Sequence, residues 1–211
     1  MLDQLSATRI GAYLDDLASD RPAPGGGSAA AMCGALAAAL VSMVCRLTLK
    51  DTAYTAVHGE MGSLLARSEA LRTRFLALAA DDARVAGGMV ELVHALAAAA
   101  VDDRDDLTAQ VQVALSAAAG TSLAILDACA AAVEMSEVAA RLGNKVALSD
   151  AGAAAAAAAA GAEGAALTVA INLAVIKDAD FVRRTRDTAD ALAAGVKRRH
   201  SQVVAEVSRQ F

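Results

Sequence analysis

Apolar residues at Leu5, Ile10, Tyr13, Leu14 and Leu17 alternate with Arg9, Asp15 and Asp16. That spacing predicts a first amphipathic helix over residues 5–17, with Ser6 as its cap. A second helix, over 28–49, is apolar nearly all round and uncharged from Ala29 to Cys45. Such a helix belongs in the middle of a bundle. Residues 50–62 form a polar joint containing His58. Helical spacing of Leu64, Leu65, Leu71, Phe75, Leu78 and Val85 then predicts a helix over 63–80 that continues towards 100. Gly87-Gly88 should bend it or mark a close approach. An acidic turn, Asp102-Asp103-Arg104-Asp105-Asp106, precedes helices over 107–119 and 123–142, with a restart at Gly120-Thr121-Ser122. Gly143 is the expected stop, Ser149 the expected cap of an alanine-rich helix over 149–176, and Asp178 the cap of a last helix over 179–210.

Between the first two helices lies Pro22-Ala23-Pro24-Gly25-Gly26-Gly27-Ser28, which holds both prolines of the chain. The prolines stiffen the loop, and the glycines permit positive φ and close approach by another group. Ser28 is the expected N-cap. The free N–H groups and positive pole of the helix suit a carboxylate or a polarised carbonyl. No Gly-Lys-Ser/Thr follows, and no GxGxxG precedes a helix after a strand, so this is neither a Walker loop nor a dinucleotide fingerprint.

Composition narrows the class. Of 211 residues, 56% are hydrophobic and 2% aromatic. Alanine-rich, strand-poor sequence of this length predicts an all-α protein, as one domain spanning 1–211 or one long bundle. A net charge of −5 without a basic stripe or stacking aromatics argues against nucleic acid. The patch Lys197-Arg198-Arg199-His200 reads as a cationic helix end. Cys33, Cys45 and Cys129 form no CxxC and read as small core residues of a cytoplasmic protein. No signal peptide is expected at the start. Residues 29–45 and 151–176 are long and apolar enough to raise the question of a membrane, but small residues and Glu163 favour burial in a bundle.

Chemistry has few carriers. His58, His94 and His200 are isolated, and no metal cluster or nucleophile motif is present. Polar residues set in or beside apolar helices remain: Asp82, Asn144, Asp150 and Asn172. A carboxylate desolvated beside a cleft can act as acid or base. Asp82 reads equally as a solvent-facing helix residue on the sequence alone.

The segments Ala23-Pro24-Gly25-Gly26-Gly27-Ser28, Val41-Ser42-Met43-Val44-Cys45-Arg46-Leu47-Thr48, Asp81-Asp82-Ala83, Gly143-Asn144, Ser149-Asp150 and Ile171-Asn172-Leu173 occur in that order. Together they resemble the cyclodeaminase domain of formiminotransferase-cyclodeaminase and the stand-alone bacterial methenyltetrahydrofolate cyclohydrolases. The resemblance covers nearly the whole chain. It implies a homodimeric, up-and-down helical bundle with a tetrahydrofolate site near the Pro/Gly loop and no further cofactor or metal. Asp82 would be the acid–base residue. Pro24, Gly25, Gly26, Gly27 and Ser28 would contact substrate, and Asn144, Asp150 and Asn172 would orient it or hold Asp82. The chain departs from the family pattern at Ala86 (usually Phe), at Ala95-Leu96-Ala97 (usually Leu-Pro-Lys), near Ser122 (a proline is missing) and at Thr168 (often Asn). The implied activity is hydrolysis of methenyltetrahydrofolate. The alternatives are ammonia release from formimidoyltetrahydrofolate, or a folate-binding helical protein that has lost its activity.

Overall fold

A computed structural model describes residues 9–210. Among them there is no strand, and six α-helices carry the fold: α1 (Ile10–Leu17), α2 (Gly26–Lys50), α3 (His58–Ala98), α4 (Arg104–Leu142), α5 (Leu148–Leu173) and α6 (Ala179–Ser208). Short 3₁₀ turns at Thr52–Val57, Val101–Asp103 and Lys145–Ala147 connect them. The expected all-α up-and-down bundle is therefore the observed architecture.

α2, α3, α4 and α5 form an antiparallel four-helix core, and α6 packs across α4 and α5. The register is set by small residues. Gly34 of α2 receives the Phe75 ring of α3, and a side chain there would collide with it. Gly161 of α5 sits on the Ala30 carbonyl and on Cys33 and Cys129, leaving no room for a Cβ. Alanine and glycine faces let these helices approach closely, and the few large side chains, among them Phe75, Met61, Ile125 and Leu126, fill the remaining gaps. Ser42 and Ser68, both buried, bond each other across α2 and α3 at 2.8 Å, so neither hydroxyl is left without a partner. Cys45 and Cys129 are buried and reduced, and burial raises their thiols to about 11 and about 12, which makes them packing residues.

Several boundaries differ from the sequence expectation. The joint after α2 is shorter than expected, because α3 already starts at His58. Asp51 caps the intervening turn by accepting from the Ala53 N–H. α3 runs unbroken through Gly87-Gly88, and nothing lies within contact of a Cβ added at either position. α4 likewise runs through Gly120-Thr121-Ser122. A helical glycine costs about 1 kcal/mol against alanine, too little to interrupt helices of this length. α5 begins at Leu148 with no side-chain cap, so Ser149 lies inside the first turn. The cap at that joint comes from Asn144, whose side chain accepts from the Val146 N–H. α5 ends at Leu173, where Gln112 of α4 bonds the Val175 carbonyl and the Lys177 N–H and stops the helix. Asp178 caps α6 as expected, accepting from the Asp180 and Phe181 N–H groups. Ser6 lies outside the described residues.

The helical stretches Gly26–Lys50, Val101–Leu142 and Lys145–Leu173 are long and apolar enough to cross a membrane by length and composition. In this fold much of each is occupied by helix–helix packing, 61% of the most apolar window of Gly26–Lys50 being buried.

Candidate active site

α2 starts at Gly26 with Gly25 as N-cap, two residues earlier than the sequence suggests. The first intrahelical bond is Ala29 N–H to the Gly25 carbonyl. Ser28 is thus a first-turn residue and not the cap. Its side chain is buried and meets the Tyr13 hydroxyl of α1 at 3.1 Å. No glycine in the loop adopts positive φ. The glycines serve space instead of backbone conformation. A Cβ on Gly27 would collide with the carboxylate of Asp82, whereas Gly25 and Gly26 face open space.

Asp82 therefore lies directly against the first turn of α2. It is half-buried, and burial raises its pKa from the ordinary 3.8, opposed by a hydrogen bond from the Ser28 backbone N–H. No cation contributes to its titration. The N–H groups of Gly26 and Gly27 have no partner within the helix, as in any first turn. A carboxylate, two free donors and the positive pole of a 25-residue helix meet at one point. The neighbouring Asp81 points elsewhere, pairing with Arg84 at 3.4 Å on the outer face of α3. Tyr13, only 8% exposed, has its hydroxyl pKa raised first by burial and further by Asp82, against the lowering effect of Ser28. Sequence reasoning placed Tyr13 only among the apolar positions of the first helix. Its signal was being one of two tyrosines in an aromatic-poor chain, just before the loop.

The remaining candidates divide. Pro24 is half-buried in the loop, immediately before Gly25. Asn172 sits in the last turn of α5, at the loop end of the bundle. Gly164 packs on Ala30, so eight further residues carry Asn172 about 12 Å beyond that level. It flanks the loop end without a side-chain bond to the groups there. Asn144 and Asp150 lie at the opposite end. The Asn144 backbone N–H donates to Thr48 Oγ1 at 2.8 Å and its side-chain amide to Asp51 at 3.1 Å. Thr48 is 21 residues along α2 from Gly27, roughly 30 Å at 1.5 Å per residue. One chain therefore does not bring Asn144 or Asp150 to Asp82; the sequence order concealed that α2 separates them.

α3 continues sixteen residues past Asp82 before its end at Ala98. With the start of α4 and the end of α5 it overhangs the loop end, so Asp82 lies below the tips of three helices. A separate recess of about 730 Å³ between α4 and α6 is lined by Asp127, Glu134, Asp187 and Arg199. Arg199 is held there by Glu134 and Glu137. That recess contains none of the groups gathered around Asp82, and Asp127, Glu134 and Arg199 in it are engaged in ion pairs, so the loop end is the better candidate for chemistry. Among the described residues, no group of three or more His, Cys, Asp or Glu side chains is placed to hold a metal ion.

Comparison with known proteins bears on the same residues. A family model described as formiminotransferase-cyclodeaminase matches residues 9–191. The chain is 36% identical over 185 residues to a methenyltetrahydrofolate cyclohydrolase of Methylorubrum extorquens, covering 88% of each chain. It is 29% identical over 186 residues to the formimidoyltransferase-cyclodeaminase of Rattus norvegicus, with 88% of this chain matching but only 34% of that longer protein. In three dimensions it is similar to the crystal structure of formiminotetrahydrofolate cyclodeaminase from Thermotoga maritima, with a TM-score of 0.86, 25% identity, and coverage of 97% of this chain and 98% of that one.

Proposed function

The chain belongs to the formiminotransferase-cyclodeaminase family, and from that membership we propose that it is a methenyltetrahydrofolate cyclohydrolase of folate one-carbon metabolism, working as one helical domain with Asp82 as its acid–base residue. The observation that carries the reading is Asp82 itself: a carboxylate with its pKa raised by burial, seated on the first turn of α2 where only a glycine leaves room for it. The likeness to the Methylorubrum extorquens cyclohydrolase over 88% of both chains favours this activity over its sister.

The substrate carries a cationic carbon between two nitrogens. Asp82 as the anion favours that charge and accepts a proton from the attacking water. The same proton, now on Asp82, passes to the nitrogen that leaves as the C–N bond breaks; the hydroxyl on the tetrahedral carbon gives its proton to solvent as the formyl C=O forms, so one proton is released with the neutral product. A raised pKa suits both halves of this cycle, because the residue must gain and give up a proton near neutral pH. The Gly26 and Gly27 N–H groups face a carbonyl of the substrate, and Ser28, held by Tyr13, keeps the first turn and Asp82 in register. Pro24 and Gly25 border the same space, and Asn172 flanks it from α5. No cofactor beyond the folate substrate enters these steps.

The second reading, cyclodeaminase activity with ammonia as the leaving group, is favoured by the fold match to the Thermotoga maritima enzyme. Purified protein assayed on methenyl- and formimidoyltetrahydrofolate, by absorbance and by ammonia release, decides between them. Hydrolysis of the first without ammonia from the second is expected. Turnover of the formimidoyl substrate alone would reverse the assignment, and binding of both without turnover would leave a folate-binding protein. A homodimer in the cytoplasm completes the reading, in keeping with three free thiols and a reducing compartment.

A further inference from the structure

The basic cluster Lys197-Arg198-Arg199-His200 has no part in the folate reading, and the structure removes its simplest explanation. α6 continues to Ser208, and its last turn holds no basic residue. The cluster therefore lies about two turns before the helix end and does not answer the helix pole, contrary to the sequence expectation. Helical geometry divides it instead. Arg199 turns to α4, where Glu134 and Glu137 hold it, and Arg198 lines the same α4–α6 recess. Lys197 and His200 line a second recess, of about 360 Å³, between α6 and α5. Both lie beyond residue 191, where the family match ends.

Small residues open this second recess. α5 and α6 run antiparallel, and Val207 of α6 closes the seam against Gly152 of α5. From that contact, each step along α5 matches one step back along α6. Ala159 then comes level with His200, Ala162 with Lys197, and Ala166 with Ala193, and all six line the recess. Alanine methyls cannot fill the gap between the helices, so only Val196 closes its floor, and exposed Leu167 stands at the far end. The span from Ala159 to Leu167 is about 12 Å along α5. Glu163 sits on the α5 wall, level with Val196 and beside the level of Lys197. The ion pairs of α6 are Arg183–Asp180, Arg199 with Glu134 and Glu137, and Arg209–Glu206. Among the described residues, the side chains of Glu163, Lys197 and His200 pair with no protein group, although all three border one recess. α6 packs on α4 and α5, whereas Asp82 lies against α2, so this recess is separate from the Asp82 site.

We propose that the recess binds a free α-amino acid with an apolar side chain. Its carboxylate meets the Lys197 ammonium and a ring N–H of His200, which stand one helical turn apart on α6. Its ammonium meets Glu163 across the gap. Its side chain lies over the methyls of Ala162, Ala166 and Ala193 towards Leu167. The charges select this class of ligand. An apolar anion would set its charge against Glu163, and an apolar cation would set its charge against Lys197. A zwitterionic head answers both signs at once, and the charged groups stand at one half of the recess with the apolar wall at the other. The volume is at the small end of the usual range for ligand pockets, about 300–1,000 Å³, which suits a molecule much smaller than a folate. This binding does not depend on the folate reading.

Calorimetric titration of the wild-type protein with L-leucine tests the site. Saturable binding of one leucine per chain is expected. The analogue 4-methylpentanoate lacks the ammonium and 3-methylbutylamine lacks the carboxylate, and each should bind about tenfold or more weakly. Lys197→Gln and Glu163→Gln, both at exposed positions, should each lose a similar factor while their folate turnover without leucine stays at the wild-type level. Arg198→Gln, which faces α4, should leave leucine affinity unchanged. Ala193→Leu fills the recess and should abolish binding; the exposed Lys197 and Glu163 variants carry the test if that change disturbs folding. No saturable heat from leucine up to its solubility limit would overturn the proposal. Equal affinity for leucine and 4-methylpentanoate would overturn the zwitterion, and affinity unchanged in both Lys197→Gln and Glu163→Gln would overturn the site. If wild type turns over neither folate and still binds leucine with these losses, the activity reading fails and this site stands.

Discussion

The two ends of α2 are both polar, and they differ in what their polar groups are left to do. At the C-terminal end, Thr48 Oγ1 donates to the Val44 carbonyl and accepts from the Asn144 N–H, Asp51 takes the Asn144 amide, and the Tyr54 hydroxyl accepts from the Lys145 N–H. Each group answers another, and the joints α2–α3 and α4–α5 are stapled together. At the N-terminal end, the first-turn N–H groups of Gly26 and Gly27 have no helical partner, and a carboxylate is pressed against them with its pKa raised by burial. A satisfied cluster stabilises; a cluster held short of satisfaction is available to a ligand. The largest expected effect follows from that contrast. Asp82→Asn should keep the fold and lower turnover by about 10² to 10⁴, because an amide cannot exchange the proton. Asp81→Asn, on the outer face with Arg84, should be nearly silent. Equal losses from both would mean the contrast between the two carboxylates is wrong.

Stability against pH sharpens the same point. The Asp82 pKa is raised in the folded state, so between the ordinary 3.8 and its folded value the native protein binds more protons than the unfolded chain. Its contribution to stability is fully present below the ordinary value and is lost as pH rises through the folded value. Asp82→Asn should flatten that decline in a urea series across pH 4 to 8, and should remove the acid limb of the rate profile along with the rate. A wild-type stability that rises with pH in the region where only Asp82 titrates would contradict the desolvation of Asp82.

Gly27→Ala comes next. The added methyl has no space beside the Asp82 carboxylate, and either α2 or α3 must shift, at about 1–3 kcal/mol by the usual cost of overpacking. Turnover should fall with it, since the group displaced is the proposed acid–base residue. Gly26→Ala meets nothing and should leave melting unchanged. A larger thermal loss at 26 than at 27 would show that Gly26, and not Gly27, faces the Asp82 carboxylate.

How much of this could be read from sequence depends on which force decides each feature. Helix identity, order and the Asp178 cap were legible, because periodicity and capping chemistry act locally. The resemblance through the Pro/Gly loop and Asp81-Asp82-Ala83 led to the right family. What failed were features set by tertiary packing. Gly87-Gly88 and Gly120 looked like breaks but sit inside continuous helices, since a local cost of about 1 kcal/mol each is small against the cooperative hydrogen bonding of helices 41 and 39 residues long. Ser28 looked like a cap, yet Gly25 takes that place and frees the hydroxyl for Tyr13. Asn144 and Asp150 looked like neighbours of Asp82, and only the antiparallel register reveals the length of α2 between them.

The stapled end should respond in stability alone. Thr48→Val keeps the shape but leaves the Asn144 N–H, part-buried at the joint, without its acceptor, which costs about 1–3 kcal/mol. The Tm should drop while kcat per folded molecule stays at the wild-type level. A kcat loss at full folding would blur the division between the two ends.

The smallest effect is expected within the Asp82 end of α2. Tyr13 and Ser28 share one buried hydroxyl pair, 3.1 Å apart. Tyr13→Phe removes one hydroxyl and leaves Ser28 Oγ facing an apolar ring edge; Ser28→Ala does the converse to the tyrosine. Each should cost about 0.5–1.5 kcal/mol, the usual net worth of a neutral hydrogen bond. The double variant should cost less than the sum, because it leaves no hydroxyl behind, and the shortfall measures the coupling. Turnover should change by less than about tenfold in all three, since the Ser28 contact to Asp82 is made by the backbone N–H, which neither substitution removes. Strict additivity in the double variant would show that the two hydroxyls do not bond in solution, and Tyr13 would then be a packing residue beside the site.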